Sequence, residues 1–213
     1  MKLDPADLSR RDKYFLLTTC VVPRPIAWVS TVAPDGTPNL APYSFFGGVC
    51  TDPPTVMVSV GRRKGQHKDT AANLLANGEG VIHIVTAPLA EQMVKTSGEY
   101  AAHVDELAHV GLTGGASERV APARVAEAAI AMEARVIHHR EVGNGPVDLF
   151  LMEIVLVHLA DEVLTDGLPD PRRLQAVGRL GKQAYANTAD PYELPRPTAE
   201  EVAAASAAGA HWD

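Results

Sequence analysis

Arg24-Pro25-Ile26-Ala27-Trp28-Val29-Ser30-Thr31 is a β-branched and aromatic run that leads into Pro34-Asp35-Gly36. The run reads as a strand over Ile26 to Val32. The Pro-Asp-Gly turn reverses the chain toward a second strand at Asn39 to Tyr43, which makes a hairpin. Trp28, at the centre of the first strand, is assigned to a core or to an interface between copies.

Working outward, Thr55 to Val60 is a further strand, entered through Asp52-Pro53-Pro54, whose prolines belong at a strand start. Ala71 to Asn77 contains good helix formers and ends at Gly78, suited to a left-handed C-terminal position. Val81 to Val85 reads as a strand, and Thr86-Ala87-Pro88 opens a short helix through Leu89, Met93 and Val94. Val104 to Leu107 is expected to form a helical turn. Ala131 to Val142 and Val147 to Ala160 are long strand-like runs joined by Gly143-Asn144-Gly145-Pro146, a strong hairpin signal. From Pro197 the chain is rich in Ala and Glu, a tail expected either to form a docking helix or to fray. Short strands with interspersed short helices, and no regular βαβ alternation, predict a mainly β fold of Greek-key barrel type. The expectation is one domain over residues 1–213, with a core from about Tyr14 to Tyr185 and a tail from about 186.

A chain of 213 residues with 46% apolar and 21% charged residues has the composition of a globular protein. Its net charge of −7 argues against a general nucleic-acid or membrane-surface role. Met1 to Leu8 has no apolar run of the kind a secretory signal needs, and no segment approaches the length of a membrane span, so a cytoplasmic location is expected. Cys20 and Cys50 have no second thiol nearby and read as buried or bystander groups.

Against that acidity, Arg62, Arg63, Lys64 and Lys68 place four permanent positive charges within seven residues. With Ser59 and Gly61 before them and Asp69-Thr70 after, they precede a helix start, where free backbone amides and a capping side chain can receive an anion. A solvated loop is the plain alternative for a charge run. Ser30, Thr31, Asn39 and Ser44 are short polar residues within or beside apolar strands, where buried donors and acceptors need partners. A ligand edge would supply them; for each one singly, a bond to neighbouring backbone would also do so. Ala41-Pro42-Tyr43-Ser44-Phe45 can present backbone amides and an aromatic wall, although aromatic residues are more often core. His138 and His139 point to opposite faces of a strand, and His158 reads as a core histidine. No metal site is expected. The chain has no GxGxxG, GxxxxGK[ST] or GxSxG.

An apolar strand, a turn, a hydroxyl-rich aromatic loop and a basic anion site in that order fit a planar ring carrying a phosphate. The three blocks Arg24 to Thr31, Asn39 to Phe46 and Lys68-Asp69-Thr70 together resemble the flavin reductase-like proteins. Val177-Gly178-Arg179-Leu180-Gly181-Lys182-Gln183-Ala184-Tyr185 resembles the block near that family's end, with Lys182 where a second glycine is usual; it adds Arg179 and Tyr185 to the candidates. The resemblance implies a six-stranded split β-barrel that forms a homodimer and binds FMN, with FAD or riboflavin as alternatives. It further implies NAD(P)H as co-substrate and delivery of reduced flavin to a partner monooxygenase. Two other readings remain open: an FMN-binding electron-transfer or storage protein, and a flavoenzyme acting on another small substrate.

Overall fold

The computed structural model describes residues 1–207. Its centre is an antiparallel sheet of seven strands: β1 (Ala27–Val32), β2 (Pro38–Tyr43), β3 (Phe46–Thr51), β4 (Pro54–Gly61), β5 (Glu79–Ile84), β6 (Ile130–Val142) and β7 (Val147–Leu159). They lie in the order β2-β1-β5-β6-β7-β4-β3. The two edge strands, β2 and β3, are therefore consecutive in the chain and are joined by Ser44-Phe45 alone. A flat sheet of seven strands would hold its edges about 29 Å apart, whereas three Cα steps reach only about 11 Å. The sheet must curl into a barrel, and its seam runs past Ser44-Phe45. There the Ser59 N–H of β4 donates to Phe45 O at 2.9 Å. The result is a split barrel of Greek-key type. It has one strand more than the resemblance implied, because Phe46–Thr51 adds an edge strand to β4.

Both faces of β1 are covered, which explains why its sequence is a continuous apolar run and not an alternation. Ala27 and Val29 point into the barrel with Val58, Val60, Ile82, Phe150 and Met152. Trp28 points the other way and joins Leu40, Leu89, Met93 and Leu107. It is fully buried, and its Nε1 donates to Thr96 Oγ1 at 2.9 Å.

The predicted hairpins form. The β1–β2 turn carries Gly36 at φ 91°, and β6 and β7 pair along their length with two register shifts. Helix α1 (Arg10–Cys20) was not anticipated. Its signal was Ser9-x-x-Asp12: the Ser9 hydroxyl accepts from Asp12 N at 3.2 Å and donates to the Asp12 carboxylate at 2.6 Å. Helix α2 (Asp69–Asn77) ends at Gly78 with φ 71°, as its sequence predicted. Helices α3 (Ala90–Lys95), α4 (Glu106–His109) and α5 (Pro171–Leu174) are short. α4 lies two residues beyond the expected turn because Asp105 caps it, accepting from Ala108 N. A small sheet pairs Arg24–Pro25 with Val177–Arg179 and the latter with Tyr185–Asn187. In the tail, α6 spans Ala199–Ala207, and residues 208–213 lie outside the described residues. Among the described residues no helix is long and apolar enough to cross a membrane.

Two side-chain readings are narrowed here. Cys20 and Cys50 are both exposed, so of the buried and bystander alternatives the buried one falls. His158 is half-buried and not a core histidine, and its Nε2 is satisfied by donating to the fully buried Glu133 carboxylate at 2.6 Å. Burial works against that charge, but the His158 bond and the amides of Glu118 and Arg119 outweigh it and hold the Glu133 pKa below its ordinary value.

Candidate functional site

A cavity of about 370 Å³ opens where α1, the end of β2 and the small sheet meet. That volume is in the range of small-molecule sites. Tyr14, Phe15 and Thr18 come from α1, Pro42-Tyr43-Ser44 from the barrel seam, and Arg179 and Tyr185 from the small sheet. Pro42, Tyr43, Ser44, Arg179 and Tyr185, distant in sequence, are thus brought together as the sequence suggested. Sequence reasoning missed the contribution of α1 as a cavity wall and the role of Arg24. Phe45 sits just behind the wall, with the Arg24 guanidinium 5.8 Å from its ring centroid.

Arg24 is 4% exposed. It donates to Thr18 O, Val21 O and Leu180 O, and its Nε donates to Ser44 Oγ at 3.3 Å. It therefore ties α1, the seam and the small sheet into one wall. Burial lowers the Arg24 pKa, and the nearby charge of Arg179 adds to the effect. Arg179 lies over the Tyr185 ring at 4.5 Å and donates to the Tyr185 hydroxyl and to Lys182 O.

Tyr43 links this cavity to the start of α2. Its hydroxyl donates to Thr70 Oγ1 at 2.9 Å, and the Lys68 ammonium stands 5.8 Å from its ring centroid. Burial raises the Tyr43 pKa, so the hydroxyl stays protonated and can donate.

Several candidates turn out to be internal struts. Ser30 Oγ donates to Ala123 O at 2.6 Å. Thr31 Oγ1 accepts from both Asn39 Nδ2 and Asn73 Nδ2 at 3.1 Å. Asn39 Nδ2 also donates to Thr70 Oγ1 at 2.8 Å. The side chains of all four are buried; Thr31, Asn39 and Thr70 bind α2 to the barrel, whereas Ser30 ties the barrel to the segment at Ala123. Ala41 likewise packs on the barrel core.

The basic segment is also rearranged relative to expectation. Arg62 donates to the fully buried Asp148 through Nε at 3.1 Å and Nη2 at 3.0 Å, and it pairs with Glu141. Arg63 pairs with Glu99. Neither guanidinium is free for a phosphate, because the partners Asp148, Glu141 and Glu99 lie 36 to 86 residues away and could not be seen locally. His67 Nδ1 and His139 Nε2 also donate to Asp148, at 2.9 and 3.0 Å. Burial pushes the Asp148 pKa up, but these bonds win and bring it to about 2. His67, Glu141 and Asp148 have ligand atoms within 4.8 Å of one another. Arg62 already stands between the two carboxylates, so the group is an ion-pair network and does not make a metal centre.

Lys64 and Lys68 remain without a carboxylate partner among the described residues. Neither Asp69 nor Thr70 caps α2, correcting the expectation; the N-cap is Lys68, with no side-chain bond to the first-turn amides. Ser59 and Gly61 lie at the end of β4, leading into this segment, with Ser59 bonded to Phe45 and Gly61 opposite Val147. The start of α2 thus offers open amides beside one ammonium group.

Comparison with known proteins bears on what this arrangement is. A Halalkalibacterium halodurans protein, BH2278, is 36% identical over 203 residues, covering 93% of this chain and 97% of that protein. The crystal structure of nitrilotriacetate monooxygenase component B from Bacillus cereus superposes with a TM-score of 0.88 at 32% identity, covering 91% of this chain and 98% of that one. The 2-nitrobenzoate 2-nitroreductase NbaA of Pseudomonas fluorescens gives 0.85 at 29% identity, covering 93% and 98%. Residues 19–177 match the model of the flavin reductase like domain, and the chain belongs to the flavin reductase-like family.

Proposed function

We propose that the protein is an NAD(P)H-dependent FMN reductase that works as one domain and supplies reduced flavin to a separate monooxygenase in the cytoplasm. The observation that carries this reading is the uncapped N-terminus of α2 beside Lys68, linked through Tyr43 to an aromatic cavity that no carboxylate of the described residues lines. The donor set fits FMN: amides and an ammonium for its phosphate, and a proline-bounded aromatic segment, Pro42 to Phe45, for its ring. A bound FMN would supply two-electron transfer from reduced nicotinamide to an acceptor.

The chain's own part is binding and orientation. Lys68 and the first-turn amides of α2 would hold the phosphate of a bound FMN. Tyr43, fixed by Thr70, holds the seam at a set distance from that anchor. Arg24 fixes the Ser44 hydroxyl by donating to it, which leaves the hydroxyl proton free to point toward a ligand. Tyr14, Phe15 and Tyr185 exclude water from the cavity. Such chemistry needs no acid–base triad, since positioning two rings supplies most of the effect.

A homodimer is part of the proposal. The exposed Leu17, Val21 and Val22 of α1 and its following turn, with Val49 on the unpaired edge of β3, are apolar surface that a second copy would cover. The likeness to monooxygenase component B favours the reductase role. The likeness to a nitroreductase favours a second reading, a flavoenzyme that reduces its own small substrate. Anaerobic stopped-flow mixing of the FMN form with NADH or NADPH tests the proposal. Rapid loss of oxidised-flavin absorbance is expected. Silence with both donors, while dithionite still bleaches the flavin, would refute nicotinamide-dependent turnover.

A further inference from the structure

Among the described residues, Arg24 is the one arginine that is almost fully buried, and Arg179 stands beside it in the cavity wall. Arg62, Arg63 and Arg135 each pair with a carboxylate. Arg24, almost fully buried, has three carbonyls and a hydroxyl as its acceptors. Arg179 has a hydroxyl, a carbonyl and an aromatic face. Neither forms an ion pair among the described residues. A buried permanent charge without a counter-charge is costly, and neutral dipoles compensate it only in part. Among the described residues the cavity lining contains Arg24, Arg179 and Lys182 and no acidic residue, in a protein whose net charge is −7. Beyond Phe15 and Lys182 the cavity continues as a groove that adds Arg11, again with no acid.

We propose that Arg24, Arg179 and Lys182 form an anion subsite for a second ligand, a planar organic anion whose ring lies among the aromatic walls and whose phosphate or carboxylate supplies the missing charge. The inference rests on the proposed placement of the flavin phosphate at Lys68 and α2, and it names the class of the second substrate. Two sources share this chemistry: a phosphorylated nucleotide serving as electron donor, and an aromatic carboxylate serving as acceptor.

Calorimetric titration of the FMN-loaded protein with charged and neutral twins tests it, using nicotinamide mononucleotide against nicotinamide riboside and benzoate against benzamide. The charged member of at least one pair should bind about tenfold or more tightly than its neutral twin, as charge-assisted bonds require. The pair with the larger preference identifies the source. Arg179→Gln should reduce that preference to near unity. Lys182→Asn should reduce it in part, at a left-handed position (φ 55°) that asparagine tolerates. In both variants the preference for FMN over riboflavin should persist. Equal binding of the twins to the wild type, or an unchanged preference in both variants, would overturn the subsite. If the FMN preference instead disappeared with Arg179 and survived loss of Lys68, the placement of the flavin phosphate would be wrong, and these cations would belong to it.

Discussion

Replacing Asp148 with asparagine keeps the shape of the side chain and removes the charge on which Arg62, His67 and His139 converge. The carboxylate is fully buried and accepts four bonds, two of them from the Arg62 guanidinium. An amide offers one acceptor oxygen and turns an NH2 group toward donors, so at least one bond becomes a donor–donor contact. Removing one partner of a buried ion pair costs about 3–5 kcal/mol. Here the lower end applies, about 3 kcal/mol, because Glu141, 54% exposed, still pairs with Arg62. Urea unfolding should show a lowered midpoint with an unchanged slope. A second readout ties the network to the site, since Arg62 and His67 bracket the segment that leads to Lys68. Loosening that segment should weaken FMN binding more than riboflavin binding. A stability loss below about 1 kcal/mol would refute the reasoning, because it would mean that water or another group takes over the pairing.

Two further outcomes follow from buried polar groups. The His83 ring is buried, accepts from Val125 N and donates to Trp28 O, and burial brings its pKa to about 4. The unfolded chain binds this proton below about pH 6.5 and the folded one only below about 4, so stability should decline as pH falls across that window, by about 3 kcal/mol at most; urea midpoints measured from pH 7.5 to 4.5 should show the decline, and His83→Gln should flatten it. Thr96→Val leaves the Trp28 Nε1 without its acceptor and should cost about 1–3 kcal/mol by thermal unfolding, whereas Thr96→Ser should retain most of the stability.

What the sequence revealed follows from the range of the forces involved. The Asn144-Gly145 hairpin, the Gly78 helix stop and the Pro34-Asp35-Gly36 turn are local backbone preferences, and each forms where the residues predicted. Helix α1 escaped because Thr18 is its only buried residue, so it has almost no apolar stripe to read. Tyr43, Ser44, Arg179 and Tyr185 were legible as a group only through the family resemblance; the structure adds Arg24 and α1, which close the cavity around them. The basic run looked like a phosphate site four charges strong, and two of those charges are neutralised by carboxylates far along the chain. Thr31, Asn39 and Thr70 looked like ligand partners for a similar reason: each needed a partner, and the partners lie on β1, β2 and α2. A single sequence shows the demand for a hydrogen bond without showing what meets it.

The most direct test of the account is a titration of the purified protein with FMN and riboflavin, repeated with Lys68→Ala. The account predicts that FMN binds more tightly, and that the substitution removes about 1–3 kcal/mol of FMN binding while leaving riboflavin nearly unchanged. Equal affinities for the two flavins in the wild-type protein would contradict the placement of the phosphate at the start of α2.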